Sequence, residues 1–176
     1  SESTIDADET WACTDGPHHV TVPITVSQGI TLTIGEGAII QLDPGSRIDT
    51  DPAGRVDAIG SDAAPILITA ANGLKSGFGD SSDGGLNVFA STTQPSSVQN
   101  VVIERGIQGL GVFGLSADAT APDIENNTLR DNTNFGIVIT CNETDAPVPD
   151  FKAAGNQFFS NGGDIGACNQ TGATGP

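Results

Sequence analysis

Methionine and tyrosine are absent from the 176 residues; tryptophan occurs once, histidine twice, cysteine three times, and lysine and arginine together only six times. Each scarcity excludes something. Aromatic residues make up 5% of the chain, so a globular core built around large rings is ruled out in favour of thin Val, Ile, Leu and Ala layers. Six basic residues against 22 acidic ones leave a net charge of −16, which repels nucleic-acid phosphates and anionic lipid and excludes nucleic acid as a partner class. No apolar run approaches the length of a membrane span, so no membrane insertion is expected. Without methionine even at its first position, and with the polar start Ser1-Glu2-Ser3, the chain reads as a processed product or an excised domain. The matching expectation is a secreted protein, extracellular or at the cell surface.

What the sequence does contain is alternation. From His19 onward, Val20, Val22 and Ile24, then Ile30, Leu32 and Ile34, then Ile40 and Leu42, then Ile48 recur at every second position, and turn residues such as Ser27-Gln28-Gly29, Gly35-Glu36-Gly37 and Asp43-Pro44-Gly45 separate the groups. A period of two bounded by such turns predicts short strands. The pattern continues through Val56 to Ile59, Ile66 to Ile68, Leu86 to Phe89, Val101 to Ile103, Leu110 to Phe113 and Ile137 to Ile139. Asn72 to Gly85, rich in Gly, Ser and Asp, is expected as a loop projecting from this framework. Late in the chain a unit returns 27 residues on: Pro122-Asp123-Ile124 as Pro149-Asp150-Phe151, and Cys141 as Cys168. Strand-only repeats of that length predict a solenoid, with Val98 one coil before Ile124 and Ile103 one coil before Leu129. Residues 11–176 are expected to form one all-β domain, a parallel β-helix of about five to six coils with an N-terminal cap around Trp11. Residues 1–10 are expected to be an acidic flexible tail.

The segment from Thr10-Trp11 to Thr69, with TVPITVSQGITLTIGEGAIIQL, Gly54-Arg55-Val56-Asp57-Ala58-Ile59-Gly60 and Ala64-Pro65-Ile66-Leu67-Ile68-Thr69, resembles the opening of secreted bacterial right-handed parallel β-helix proteins. Ile124-Glu125-Asn126-Asn127-Thr128-Leu129-Arg130-Asp131-Asn132 and Gly136-Ile137-Val138-Ile139 resemble the coils of the pectate-lyase-like superfamily. The resemblance implies the right-handed coil. It implies no single activity, because that superfamily holds lyases, hydrolases, epimerases, adhesins and purely structural coils.

Candidate sites follow from the coil. Cys141 and Cys168 end matching strands one coil apart, which places their Cα atoms about 5 Å apart and predicts a disulfide. Cys13 is left over, either a free thiol or a bond to another subunit; Trp11 beside it favours a buried thiol. Asn126, Asn142 and Asn169 open N-x-T sequons for glycosylation. The loop Asp80-Ser81-Ser82-Asp83-Gly84-Gly85 offers Asp80 and Asp83 to Ca²⁺, without the ligand spacing of an EF-hand; no other cofactor is indicated.

Enzymes of the resembled superfamily bring together clustered carboxylates with a basic residue, or several Asp with a His and an Arg/Lys pair. Here His18 and His19 sit in the expected cap, and Arg47, Arg55, Lys75, Arg105, Arg130 and Lys152 are scattered singly. Arg105 and Arg130, beside Glu104 and Asp131, read as a surface ion-pair ladder. Thr31 and Thr33 have no matching pair one coil on, which argues against the Thr ranks of an ice-binding face.

The expected function is therefore a non-catalytic extracellular structural protein. It would assemble with copies of itself, by end-to-end stacking or strand donation, into a fibre, surface layer or matrix. The expectation rests on a coil end left uncovered by the Gly/Thr-rich stretch Asn169 to Pro176. The alternative is a carbohydrate-binding or polysaccharide-cleaving module with extracellular polysaccharide as its partner, or a segment of a larger adhesin.

Overall fold

Alternating apolar residues place one side chain inward and the next outward, and strands of three to seven residues separated by Gly, Asn and Asp turns cannot extend far before bending. A computed structural model describes residues 2–75, 77–79, 83–141 and 146–167 of the chain. Its strands fall into successive coils. The first holds β1 (Ser3–Ile5), β2 (Glu9–Trp11) and β3 (His18–Val20); the second, β4 (Ile24–Val26), β5 (Thr31–Ile34) and β6 (Ile39–Leu42); the third, β7 (Ile48–Thr50), β8 (Arg55–Ile59) and β9 (Ile66–Ala70). The fourth holds β10 (Leu86–Phe89), β11 (Ser97–Gln99) and β12 (Val101–Glu104), and the fifth β13 (Leu110–Leu115), β14 (Asp123–Glu125) and β15 (Thr128–Arg130). The sixth has β16 (Phe135–Cys141) and β17 (Gln157–Phe159), and β18 (Gly163–Gly166) opens the next.

Every third strand stacks on the last, giving three parallel sheets: A, β1-β4-β7-β10-β13-β16-β18; B, β2-β5-β8-β11-β14; and C, β3-β6-β9-β12-β15-β17. The chain is thus an all-β parallel solenoid of about six turns, with no α-helix among the described residues.

The core consists of columns. Ile24, Ile48, Leu86, Leu110, Ile137 and Ile165 line up inside sheet A. Ile40, Ile68, Ile103, Leu129 and Phe158 line up inside sheet C, and Trp11, Ile34, Ala58, Val98 and Ile124 inside sheet B. The sequence-expected partners Val98 with Ile124 and Ile103 with Leu129 are register partners. Burying each large aliphatic side chain favours the fold by about 1.5–3 kcal/mol, and the column continues only while the period of two is kept.

Four expectations are corrected. The expected tail over residues 1–10 is part of the coil from Ser3 onward: Ser3–Ile5 pairs with Ile24–Val26 and Glu9–Trp11 with Leu32–Ile34. Ile5 is buried, and the Asp8 carboxylate accepts the Thr31 N–H at 2.9 Å. Three-residue strands with a single inward side chain leave no period to read.

Trp11 accordingly belongs to the first coil rather than to a separate cap. It stacks on His18 at 5.1 Å and donates from its indole to Glu9.

The loop after Asn72 does not simply project. Phe78 is fully buried, its carbonyl accepts the Ile107 N–H at 3.0 Å, and Gly79 donates to the Ser46 carbonyl at 3.1 Å. The segment therefore keeps the backbone ladder of that corner. Its ring fills space that only glycine leaves open: a Cβ on Gly85 or Gly106 would lie within about 2.3 Å of the Phe78 ring.

Finally, Asp150-Phe151 does not repeat Asp123-Ile124 as a strand. Among the described residues the sixth coil has no strand in sheet B, Phe151 lies buried in a turn, and pairing resumes at Thr128 with Gln157, 29 residues apart rather than 27.

Candidate functional site

The outer face of sheet C carries a column of polar register partners: His19, Gln41, Thr69, Glu104, Arg130 and then Phe159. Glu104 is its centre. Buried to 5% exposure, it accepts Thr69 Oγ1 at 3.0 Å through Oε1 and Arg130 Nε at 2.7 Å through Oε2, with Arg105 3.3 Å from Oε1. The expected ladder of Arg105 and Arg130 thus converges on Glu104, while Asp131 faces Lys75 at 3.6 Å. The remaining cations are also engaged: Arg47 with Asp49 at 2.8 Å, Arg55 with Asp57 at 2.7 Å and Lys152 with Asp164 at 2.9 Å. His19 meets Asp43 at 2.8 Å, and His18 bonds the Ala12 carbonyl at 3.1 Å. In the coil after Thr31 and Thr33, their register partners are Arg55 and Asp57.

The asparagines form two internal ladders. Asn127 accepts the Val101 N–H and passes its own side-chain N–H groups to Val98 O and Asn156 Oδ1. Asn132 does the same between Gly106 N, Ile103 O and Asn161 Oδ1. Asn126 lies exposed on the neighbouring corner with φ 55°, a left-handed conformation that Asn tolerates.

Cys13 lies in a short 3-10 turn, Cys13–Asp15, as a free and exposed thiol. The buried reading is corrected: the chain has left the coil after β2, so residue 13 falls outside the tube. Cys141 ends β16; its expected partner Cys168, the sequon residues Asn142 and Asn169, and Asp80 lie outside the described residues. Asp83 stands at 3.7 Å from Arg47. Among the described residues no group of three or more His, Cys, Asp or Glu is arranged to hold a metal ion.

Two concave surfaces stand out, the first at the coil end on which the expected assembly rests. The first is the C-terminal mouth of the tube, a groove of about 610 Å³ lined by Phe135, Ile139, Val148, Phe151 and Ile165, with Asp150, Lys152 and Asp164 at its rim. Phe135 is 37% exposed and lies over Gly163 and Gly166, where a Cβ would come within 2.7 Å of its ring. Phe159, on edge strand β17, is 51% exposed. At the other end Ile5, Trp11 and Val20 are all buried.

The second surface is a cleft of about 240 Å³ on the outer face of sheet A, lined by Thr25, Asp49, Thr50, Asp51, Asp83, Asn87, Phe89 and Phe113. Register could not be read across the irregular loop before β10, so the sequence does not bring Asp49 and Asp51 beside Phe89 and Phe113. Comparison of the chain with protein-family models, curated proteins and solved structures finds no match.

Proposed function

We propose that this chain is a non-catalytic, secreted structural coil whose C-terminal end receives the N-terminal end of a second copy, building a fibre, surface layer or matrix. The observation that carries this reading is the apolar groove at the C-terminal mouth, at the end of the coil where, among the described residues, β14, β17 and β18 pair on one side only. An edge strand offers a row of backbone donors and acceptors to another chain. All sheet ladders are parallel, so a copy stacked head to tail adds its β1, β2 and β3 as further rungs in the same direction, and such a heterologous contact propagates. The engagement of all six basic side chains with carboxylates favours a structural use of charge over a catalytic one. Export is supported by the resemblance to secreted right-handed β-helix proteins. A disulfide between Cys141 and Cys168 belongs to the same reading.

With a net charge of −16 on each copy, association is opposed at low ionic strength and promoted as salt screens the repulsion. Light scattering and electron microscopy over a salt series test this: oligomers or filaments should grow with salt. Phe135→Ser should reduce them, whereas Ile59→Ser, on the outer face of sheet B, should not. A protein that stays monomeric at every salt concentration removes the reading.

A further inference from the structure

We propose that the cleft on the outer face of sheet A binds a single ring of a neutral saccharide. Phe89 and Phe113 are register partners on β10 and β13, with ring centroids 5.5 Å apart and 29° between planes, and together they make an apolar wall two rungs tall. That wall exists because residue 111 is glycine: a Cβ there would stand 2.5 Å from Phe113 Cε2 and 2.1 Å from Asn87 Oδ1. The negative ring faces suit the polarised C–H groups of a sugar face.

Beside the wall, most polar groups are already locked. Asn87 donates to Asp49 Oδ1 at 2.7 Å and holds both the N–H and the carbonyl of Gly84, while Arg47 donates to Asp49 Oδ2. Thr50 Oγ1 accepts the Phe89 N–H at 3.1 Å. Two groups in the cleft differ. Among the described residues nothing bonds the half-buried Asp51 carboxylate or the Thr25 hydroxyl.

A half-buried carboxylate with spare acceptor capacity next to an aromatic wall matches a ligand that carries hydroxyl donors on an otherwise apolar ring, and such charge-assisted hydrogen bonds are the strong ones. Asp49, Asp51 and Asp83 outnumber Arg47 here, so a uronate or a phosphorylated sugar is repelled and a neutral ring is selected. The cleft lies just below the range of about 300–1,000 Å³ usual for small-molecule sites, which fits one ring and weak, millimolar affinity. It lies on the side of the coil, so this inference stands or falls separately from end-to-end assembly.

The test is an NMR titration of the isotopically labelled protein with maltotriose, cellotriose and laminaritriose, with trigalacturonate as the acidic control, each up to about 20 mM. At least one neutral trisaccharide should give saturable shifts centred on the amides of Asp51, Asn87, Phe89 and Phe113, and trigalacturonate should not. Phe113→Ala and Asp51→Asn should each weaken binding about tenfold. Asp51→Asn should keep the wild-type spectrum elsewhere, which separates lost binding from lost folding. The proposal is overturned if no neutral trisaccharide shifts these amides, if trigalacturonate binds as well as they do, or if Asp51→Asn binds like wild type.

Discussion

Asn127 and Asn156, 29 residues apart, occupy the same corner of successive coils: the Asn127 N–H and its side-chain Nδ2 both donate to Asn156 Oδ1 at 3.0 Å. Both side chains are buried, and each reaches a strand carbonyl, Val98 for Asn127 and Ile124 for Asn156. The corner therefore carries a buried polar line whose side chains bond the coils before and after them.

Removing one rung should be costly. Asn127→Ala leaves the Val101 N–H and the Val98 carbonyl without their partner, at about 1–3 kcal/mol for each unsatisfied group. Urea denaturation should show a loss of about 3 kcal/mol. A change below about 0.5 kcal/mol would mean that water replaces the side chain at no penalty.

Phe78 anchors an otherwise polar loop. Phe78→Ala should lower stability by about 3–5 kcal/mol, the range for emptying a buried aromatic site. Hydrogen exchange should rise at the Gly77, Gly79 and Ile107 amides, which bond the Arg105, Ser46 and Phe78 carbonyls. Unchanged exchange there would show that the backbone ladder alone holds the segment.

Glu104 gathers Thr69, Arg105 and Arg130 on one buried carboxylate. Glu104→Gln keeps the shape and an acceptor but removes the charge, and should destabilise by about 1–2 kcal/mol, below the full value of a buried pair because both arginines reach solvent. A double-mutant cycle with Arg130→Gln in urea should give a non-zero coupling energy; additivity would make the ladder a surface ornament.

The thiol count decides the proposed bridge. Alkylation of the unfolded, unreduced protein should label one cysteine by mass, and labelling after reduction should reach all three. Native protein should react at Cys13, which is exposed. Three labels without reductant would exclude a bond between Cys141 and Cys168.

Much of the coil was legible because inward residues repeat every second position and turns between them are spelled in Gly, Pro, Asn and Asp. Val98 over Ile124 and Ile103 over Leu129 follow from counting. Counting failed where a coil changed its contour. Asp150 and Phe151 look like Asp123 and Ile124, yet the chain turns there and, among the described residues, sheet B ends at β14. Phe78 sits among Gly, Ser and Asp, and nothing in that string says that Gly85 and Gly106 leave a hole for its ring.

The sequence by itself determined the period, the parallel coil and the sign of the surface charge, because these depend on neighbours along the chain and on composition. Only the tertiary structure decided which side chains gather outside the regular columns: Asp51 beside Phe89 and Phe113, two arginines on Glu104, and Phe135 and Phe151 at one mouth of the tube. Stacking fixes these meetings through the length of each corner, and corner lengths vary without leaving a pattern that local propensity can read.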